Sequence, residues 1–191
     1  MRTIGKTMGL VGMFLVLAAS QAWAVDVEGV QIPESLDVEG GKLQLNGTGV
    51  RSKFFFDLYV GALYLVSPSP DAEHIIAADK PMAIRLHILS KLITSEKMEE
   101  ATREGFVQAT DGNTVEIQGR IEEFISVFQE EEIAKGDVFD LMYVPEQGVL
   151  THKNAELLIS VPGLDFKRAL FGIWLSDDPV QKSLKQGMLG D

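Results

Sequence analysis

Residues 44–65, QLNGTGVRSKFFFDLYVGALYL, set a single arginine, Arg51, between a glycine-threonine-glycine break and an apolar run that carries two tyrosines. An arginine in so apolar a neighbourhood needs a partner, because burying its charge alone costs on the order of several kcal/mol. A carboxylate suits it best, since the planar guanidinium grips both carboxylate oxygens at once. That carboxylate belongs either to the protein, with Asp57 or a helix acid as candidates, or to a ligand. Tyr59 lies eight residues beyond Arg51 and shares its face on a regular strand. A straight strand would hold the two roughly 26 Å apart at 3.3 Å per residue. They meet at one small group only if the chain reverses near Ser52-Lys53, and that reversal is expected. Tyr64, an odd step from Tyr59, should face the other way into packing.

Working outward, the N-terminus carries Arg2 and Lys6, the apolar run Leu10–Ala19 and the small-x-small triplet Ala22-Trp23-Ala24. This is the pattern of a secretory signal peptide, cleaved after Ala24. The apolar core is shorter than the ~20 residues a membrane span requires. The division is therefore 1–24 as signal peptide and 25–191 as one domain, placed in the periplasm or secreted. The formal net charge is −11, and losing the leader's two basic residues makes it −13. So acidic a chain is a poor partner for nucleic acid. Glu130-Glu131-Glu132 reads as a solvated face. There is no cysteine, so stability rests on the core, and thiol chemistry is excluded. His74, His87 and His152 are widely spaced, which predicts no metal site. No phosphate-cradling glycine loop or nucleophile elbow occurs, and no cofactor is expected.

Along the chain, Val27–Ile32 reads as a short strand. Lys42–Gly47 alternates as a second, and Phe54–Val66 as a central third. Asp71–Ala78 reads as a short helix. Met82–Leu89 is a strand with Ile84, Leu86 and Ile88 on one face and Arg85 and His87 on the other. Ser95 caps a helix to about Thr110. A second helix reaches about Gln129, with Ile121, Phe124, Ile125 and Phe128 at helical spacing. Three strands follow as a meander over Val138–Val144, Val149–His152 and Leu157–Val161. Asp165 is the expected cap of a helix over Phe166–Leu175, and Asp178-Pro179 of the last one. Strands, helices, strands, helices in that order predict α+β with an antiparallel sheet.

Three blocks in fixed order, GTGVRSKFFFDLYVGALYL (47–65), SEKMEEATREGF (95–106) and FKRALFGIWLSDDPVQKSLKQGMLG (166–190), resemble the chalcone-isomerase-like superfamily in its signal-peptide-bearing bacterial branch. The resemblance implies an open-faced antiparallel sheet with a helical layer on one face and a cleft between them. It also implies that Arg51 takes the position that holds an anionic oxygen in the isomerases and a carboxylate in the fatty-acid-binding members. Tyr59 takes the place of the hydroxyl that completes the polar end. The isomerases carry a tyrosine just before the Ser-Glu-Lys of the helix start and an asparagine seven residues on. Here these positions read Thr94 and Ala101. A further hydroxyl in the C-terminal helix is replaced by Gly172 or Ile173. The binding half of such a site is present and the chemical half is altered.

The leading expectation is a non-catalytic exported protein that binds a small amphipathic carboxylate such as a fatty acid, with Arg51, Tyr59 and Thr94 as ligand-binding residues. The alternatives are an isomerase or lyase acting on an exported substrate through Tyr59 or Thr94, and an envelope interaction protein with no ligand. Phe106, Phe124, Phe128, Phe171 and Trp174 are read as core, and no stable membrane span is expected once the leader is removed.

Overall fold

The computed structural model describes residues 24–39, 41–130 and 132–191. The expected leader lies outside these residues except for Ala24, as do Gly40 of the expected turn and Glu131 of the acidic run. A small hairpin, β1 (Ala24–Val27) with β2 (Val30–Pro33), precedes a seven-stranded antiparallel sheet. That sheet runs in sequence order: β3 (Ser35–Val38), β4 (Gly41–Lys53), β5 (Phe56–Leu65), β6 (Met82–Ile88), β7 (Val138–Val144), β8 (Gly148–Lys153) and β9 (Glu156–Val161). Five helices complete the fold: α1 (Ala72–Ala77), α2 (Ser95–Ala109), α3 (Gln118–Glu130), α4 (Leu164–Leu175) and α5 (Lys182–Leu189). A 3-10 turn over Val115–Ile117 leads into α3.

Period-two alternation decides which side of the sheet the helices cover. On β6, Met82, Ile84, Leu86 and Ile88 face the helices, and their neighbours face away. Ile121, Phe124, Ile125 and Phe128 on α3 meet the sheet at helical spacing. Phe106 of α2, Phe124 of α3 and Phe166 of α4 form an aromatic cluster with centroids 5.5–6.3 Å apart. Such pairs each add about 0.5–1.5 kcal/mol beyond area burial. α4 is the central helix, buried from Phe166 to Leu175 except at Arg168.

The opposite face has a smaller cluster, with Val60, Ala62, Tyr64 and Ala83 under Ile32 and Leu36. Tyr64 points there, as its odd step from Tyr59 requires, and its hydroxyl donates to the Pro33 carbonyl at 2.9 Å. Arg85 and Asp140, directly paired across β6 and β7, form a bidentate ion pair at 2.7 and 2.8 Å.

Five local expectations are corrected here. Val27–Ile32 is not one strand, because Glu28 and Gly29, both at positive φ, turn the chain between β1 and β2. The glycine-threonine-glycine segment is not a break, for it lies inside the long strand β4. Its glycines let α5 come close: a Cβ on Gly47 would stand 2.3 Å from the Gly187 carbonyl, and one on Gly187 would stand 2.3 Å from the Thr48 carbonyl. The central strand begins at Phe56, because Phe54 and Phe55 form the turn between β4 and β5. The last helix begins at Lys182 with Gln181 as its cap, three residues past Asp178-Pro179. The residue preceding α4 is Gly163, with φ +110°, and Asp165 sits in the first turn.

Candidate functional site

The β4–β5 hairpin makes the reversal that the Arg51–Tyr59 pairing demands, but it turns at Phe54-Phe55, just past the expected Ser52-Lys53, which still belong to β4. The two residues are direct cross-strand partners, with a register shift between Arg51 and Ser52. Opposed residues of antiparallel strands present their side chains to the same face. Both line a cavity of about 480 Å³ between the sheet and helices α2 and α4. Leu58 and Leu86 form part of its floor. Met98, Ala101 and Thr102 of α2, with Ile173 and Trp174 of α4, form the opposite walls. Its volume falls within the range of about 300–1,000 Å³ that holds small ligands.

Arg51 has no ion pair among the described residues. Asp57, the candidate internal partner, instead accepts from the Ser52 hydroxyl at 2.7 Å. The Arg51 guanidinium donates through Nη1 to Gln181 Oε1 at 2.8 Å and to the Ser52 carbonyl at 2.9 Å. Both acceptors are neutral, so the cation is oriented without being neutralised. Gln181 is itself fixed on three further sides. Its Oε1 accepts from the Ser52 backbone N–H, and its Nε2 donates to the Val50 carbonyl and the Ser183 hydroxyl. The close packing of α5 on the β4 glycines brings Gln181 to this place.

Tyr59 is buried, and its hydroxyl accepts from Trp174 Nε1 at 3.0 Å. Burial pushes its pKa up to about 12, against smaller lowering effects of the Trp174 hydrogen bond and the nearby Arg51 charge. The phenol therefore stays protonated at neutral pH. Its own hydrogen enters no hydrogen bond among the described residues and can be donated into the cavity. One corner of an apolar cavity thus holds a cation and a hydroxyl donor, a pairing suited to an anionic oxygen.

Thr94 does not join this corner. It is exposed, and as the N-cap of α2 its Oγ1 accepts from the Lys97 backbone N–H at 3.3 Å. The cap is Thr94, not Ser95, and capping occupies the hydroxyl. Ala101 does line the cavity, so the position where the isomerases carry an asparagine contributes only a methyl group here. Trp174, read from the sequence as core, is both packed and part of the cavity wall. Gln181 was not read as a site residue, and nothing local singles it out, since a glutamine before a helix is unremarkable by itself.

The chain belongs to the chalcone isomerase-like family, whose sequence model matches residues 24–190. No curated protein sequence matches it. Its fold is similar to the crystal structure of the fatty-acid binding protein AtFAP1 of Arabidopsis thaliana. The TM-score is 0.69 at 17% sequence identity, covering 87% of this chain and 96% of that one. At that identity the likeness speaks for the fold, and the site must be argued from this chain's own residues.

Proposed function

We propose that this protein is an exported, non-catalytic carrier or receptor for a small amphipathic carboxylate of the fatty-acid type. Arg51 receives the head group, Tyr59 donates a second hydrogen bond to it, and the sheet–helix cavity encloses the apolar tail. The observation that supports this most is that Arg51, beside an apolar cavity, is held by the neutral amide of Gln181 and, among the described residues, by no carboxylate. A phenol with a pKa near 12 is a poor proton acceptor at neutral pH, which argues against Tyr59 as a general base. The similar structure is that of a fatty-acid binding protein, which is consistent with this reading.

The test begins with protein recovered from the envelope of producing cells. N-terminal sequencing should begin at Val25, and an intact Met1 would refute export. Loss of residues 1–24 leaves Trp174 as the sole tryptophan, and its fluorescence should change saturably on titration with dodecanoate. Arg51→Met should weaken dodecanoate binding by about a hundredfold. That follows from losing one or two charge-assisted hydrogen bonds of about 1.5–3 kcal/mol each. Dodecanol should bind both proteins alike. Equal dodecanoate affinity in wild type and variant rules out the head-group role.

A further inference from the structure

The turn between β4 and β5 carries three consecutive phenylalanines in solvent: Phe54 is 87%, Phe55 100% and Phe56 56% exposed. Leu92, on the loop before α2, is also exposed, and Phe54, Phe56 and Leu92 all line the cavity. The exposed rings of the hairpin apex therefore adjoin the same cavity that Tyr59 and Leu86 line further in. Phe54 also adopts φ +58°, a left-handed conformation that bulky side chains rarely take and where glycine or asparagine is the usual occupant. A hairpin apex of polar turn residues would be soluble and unstrained, but this one has three rings and a backbone cost. Exposed apolar clusters of this kind mark contact surfaces.

The shape and chemistry of the apex select the partner. A protruding tip has no concavity with which to clasp a protein side chain, whereas rings on a convex tip can enter a lipid surface without a matched counterpart. Aromatic side chains favour the boundary between water and acyl chains, and lysines beside them keep their ammonium groups at the headgroups. Lys53 of β4 and Lys97 of α2 both line the cavity, with Glu100 and Glu104 further along α2. The net charge of −11 gives no long-range attraction to anionic lipid, so the rings carry the contact. Among the described residues no helix is long and apolar enough to cross a membrane, which leaves a peripheral contact through the tip.

We infer that the Phe54-Phe55-Phe56 apex docks on a lipid surface and sets the open end of the cavity against the bilayer, so that an amphipathic molecule passes between lipid and pocket without crossing water. The docking contact is separate from the head-group site. Arg51→Met removes the cation and leaves the tip intact, so the two readings fail independently.

The chain has no cysteine, so one introduced thiol takes a polarity-sensitive fluorophore at a single place. Phe55→Cys puts the label on the apex. Val66→Cys puts it at an exposed position past the far end of β5, on the order of 30 Å away along the strand. Protein of each kind, recovered from the envelope without the leader, is mixed with phosphatidylcholine vesicles. The expected result is a blue shift of the label at 55 and none at 66, lost when Phe54→Ser and Phe56→Ser are added to the Phe55→Cys chain. Circular dichroism confirms that this variant is folded. No shift at 55, equal shifts at both positions, or a shift that survives the two serine substitutions overturns the inference. A shift at 55 that needs no vesicles and rises with protein concentration also overturns it, because the apex then meets a second copy of the chain.

Discussion

Gln181→Glu is the sharpest perturbation of the proposed site, because it changes charge with almost no change in shape. In the wild type the amide oxygen lies 2.8 Å from Arg51 Nη1. A glutamate in the same rotamer places a carboxylate oxygen there and neutralises the cation from within. With charge centres about 4 Å apart and an effective dielectric near 20, the new pair is worth about 4 kcal/mol. Arg51 is only half-buried, so water screens part of this, and a working range is about 2–4 kcal/mol. A ligand carboxylate would meet a cation already paired and a second anion beside it. Dodecanoate affinity should therefore fall by about thirtyfold to a thousandfold, at roughly 1.4 kcal/mol per tenfold. The variant also loses the donor to the Val50 carbonyl, which should cost about 1–3 kcal/mol of folding stability. Isothermal titration calorimetry with dodecanoate and with dodecanol separates these effects, and thermal unfolding by circular dichroism checks the fold. The alcohol should bind the variant as it binds the wild type. A folded Gln181→Glu protein that takes dodecanoate within threefold of wild type refutes the view that a free Arg51 charge governs recognition.

Two further predictions concern the scaffold that carries the site. Lys167 is fully buried, and its ammonium donates to the carbonyls of Ile75, Ile76 and Ala78, each at 2.9 Å, closing the C-terminal end of α1. Burial, with the Arg168 charge as a smaller cause, lowers its pKa from 10.5 to about 8. Between those values the unfolded chain binds the proton that the native chain has released, so wild-type stability rises with pH across this window and the gain is lost as pH falls through about 8. Lys167→Met should be less stable at neutral pH by about 2–3 kcal/mol, from orphaned carbonyls. Its deficit should widen by about 1–2 kcal/mol between pH 8 and 9.5 in urea unfolding, and a deficit independent of pH would contradict this. Gly187→Ala forces a methyl group against the Thr48 carbonyl and should lower stability by about 1–3 kcal/mol. Because it moves α5 and with it Gln181, dodecanoate affinity should fall as well, and a fully stable variant with normal affinity would show that the helix can shift freely.

The β6 alternation, the helical spacing on α3 and the opposite facing of Tyr59 and Tyr64 were legible because each is a repeat of 2.0 or 3.6 along a short stretch. The reversal after Arg51 was legible for a different reason. Two polar residues eight apart can serve one small group only if the chain folds back. Ser95 is the expected cap because serine is the better N-cap of the two adjacent hydroxyls, but side-chain geometry gives the role to Thr94. The late start of α5 was misread because Asp178-Pro179 is a strong local start signal, yet Gln181 takes the cap where the helix docks on β4.

The order of the seven strands came from the tertiary structure, whereas the sequence by itself determined an antiparallel α+β fold, the face of β6 that meets the helices, and the chain reversal that brings Arg51 and Tyr59 together. These follow from backbone periodicity and chain length, which act over a few residues. Only the tertiary structure decided that Arg51 is held by Gln181, 130 residues away, and that Trp174, 115 residues from Tyr59, ties down its hydroxyl. Such contacts carry no local signature, because they depend on how closely two glycine-bearing surfaces approach once the core has formed. Whether the arginine meets an acid or an amide is settled by that approach, and on it depends whether the cation remains available to a ligand.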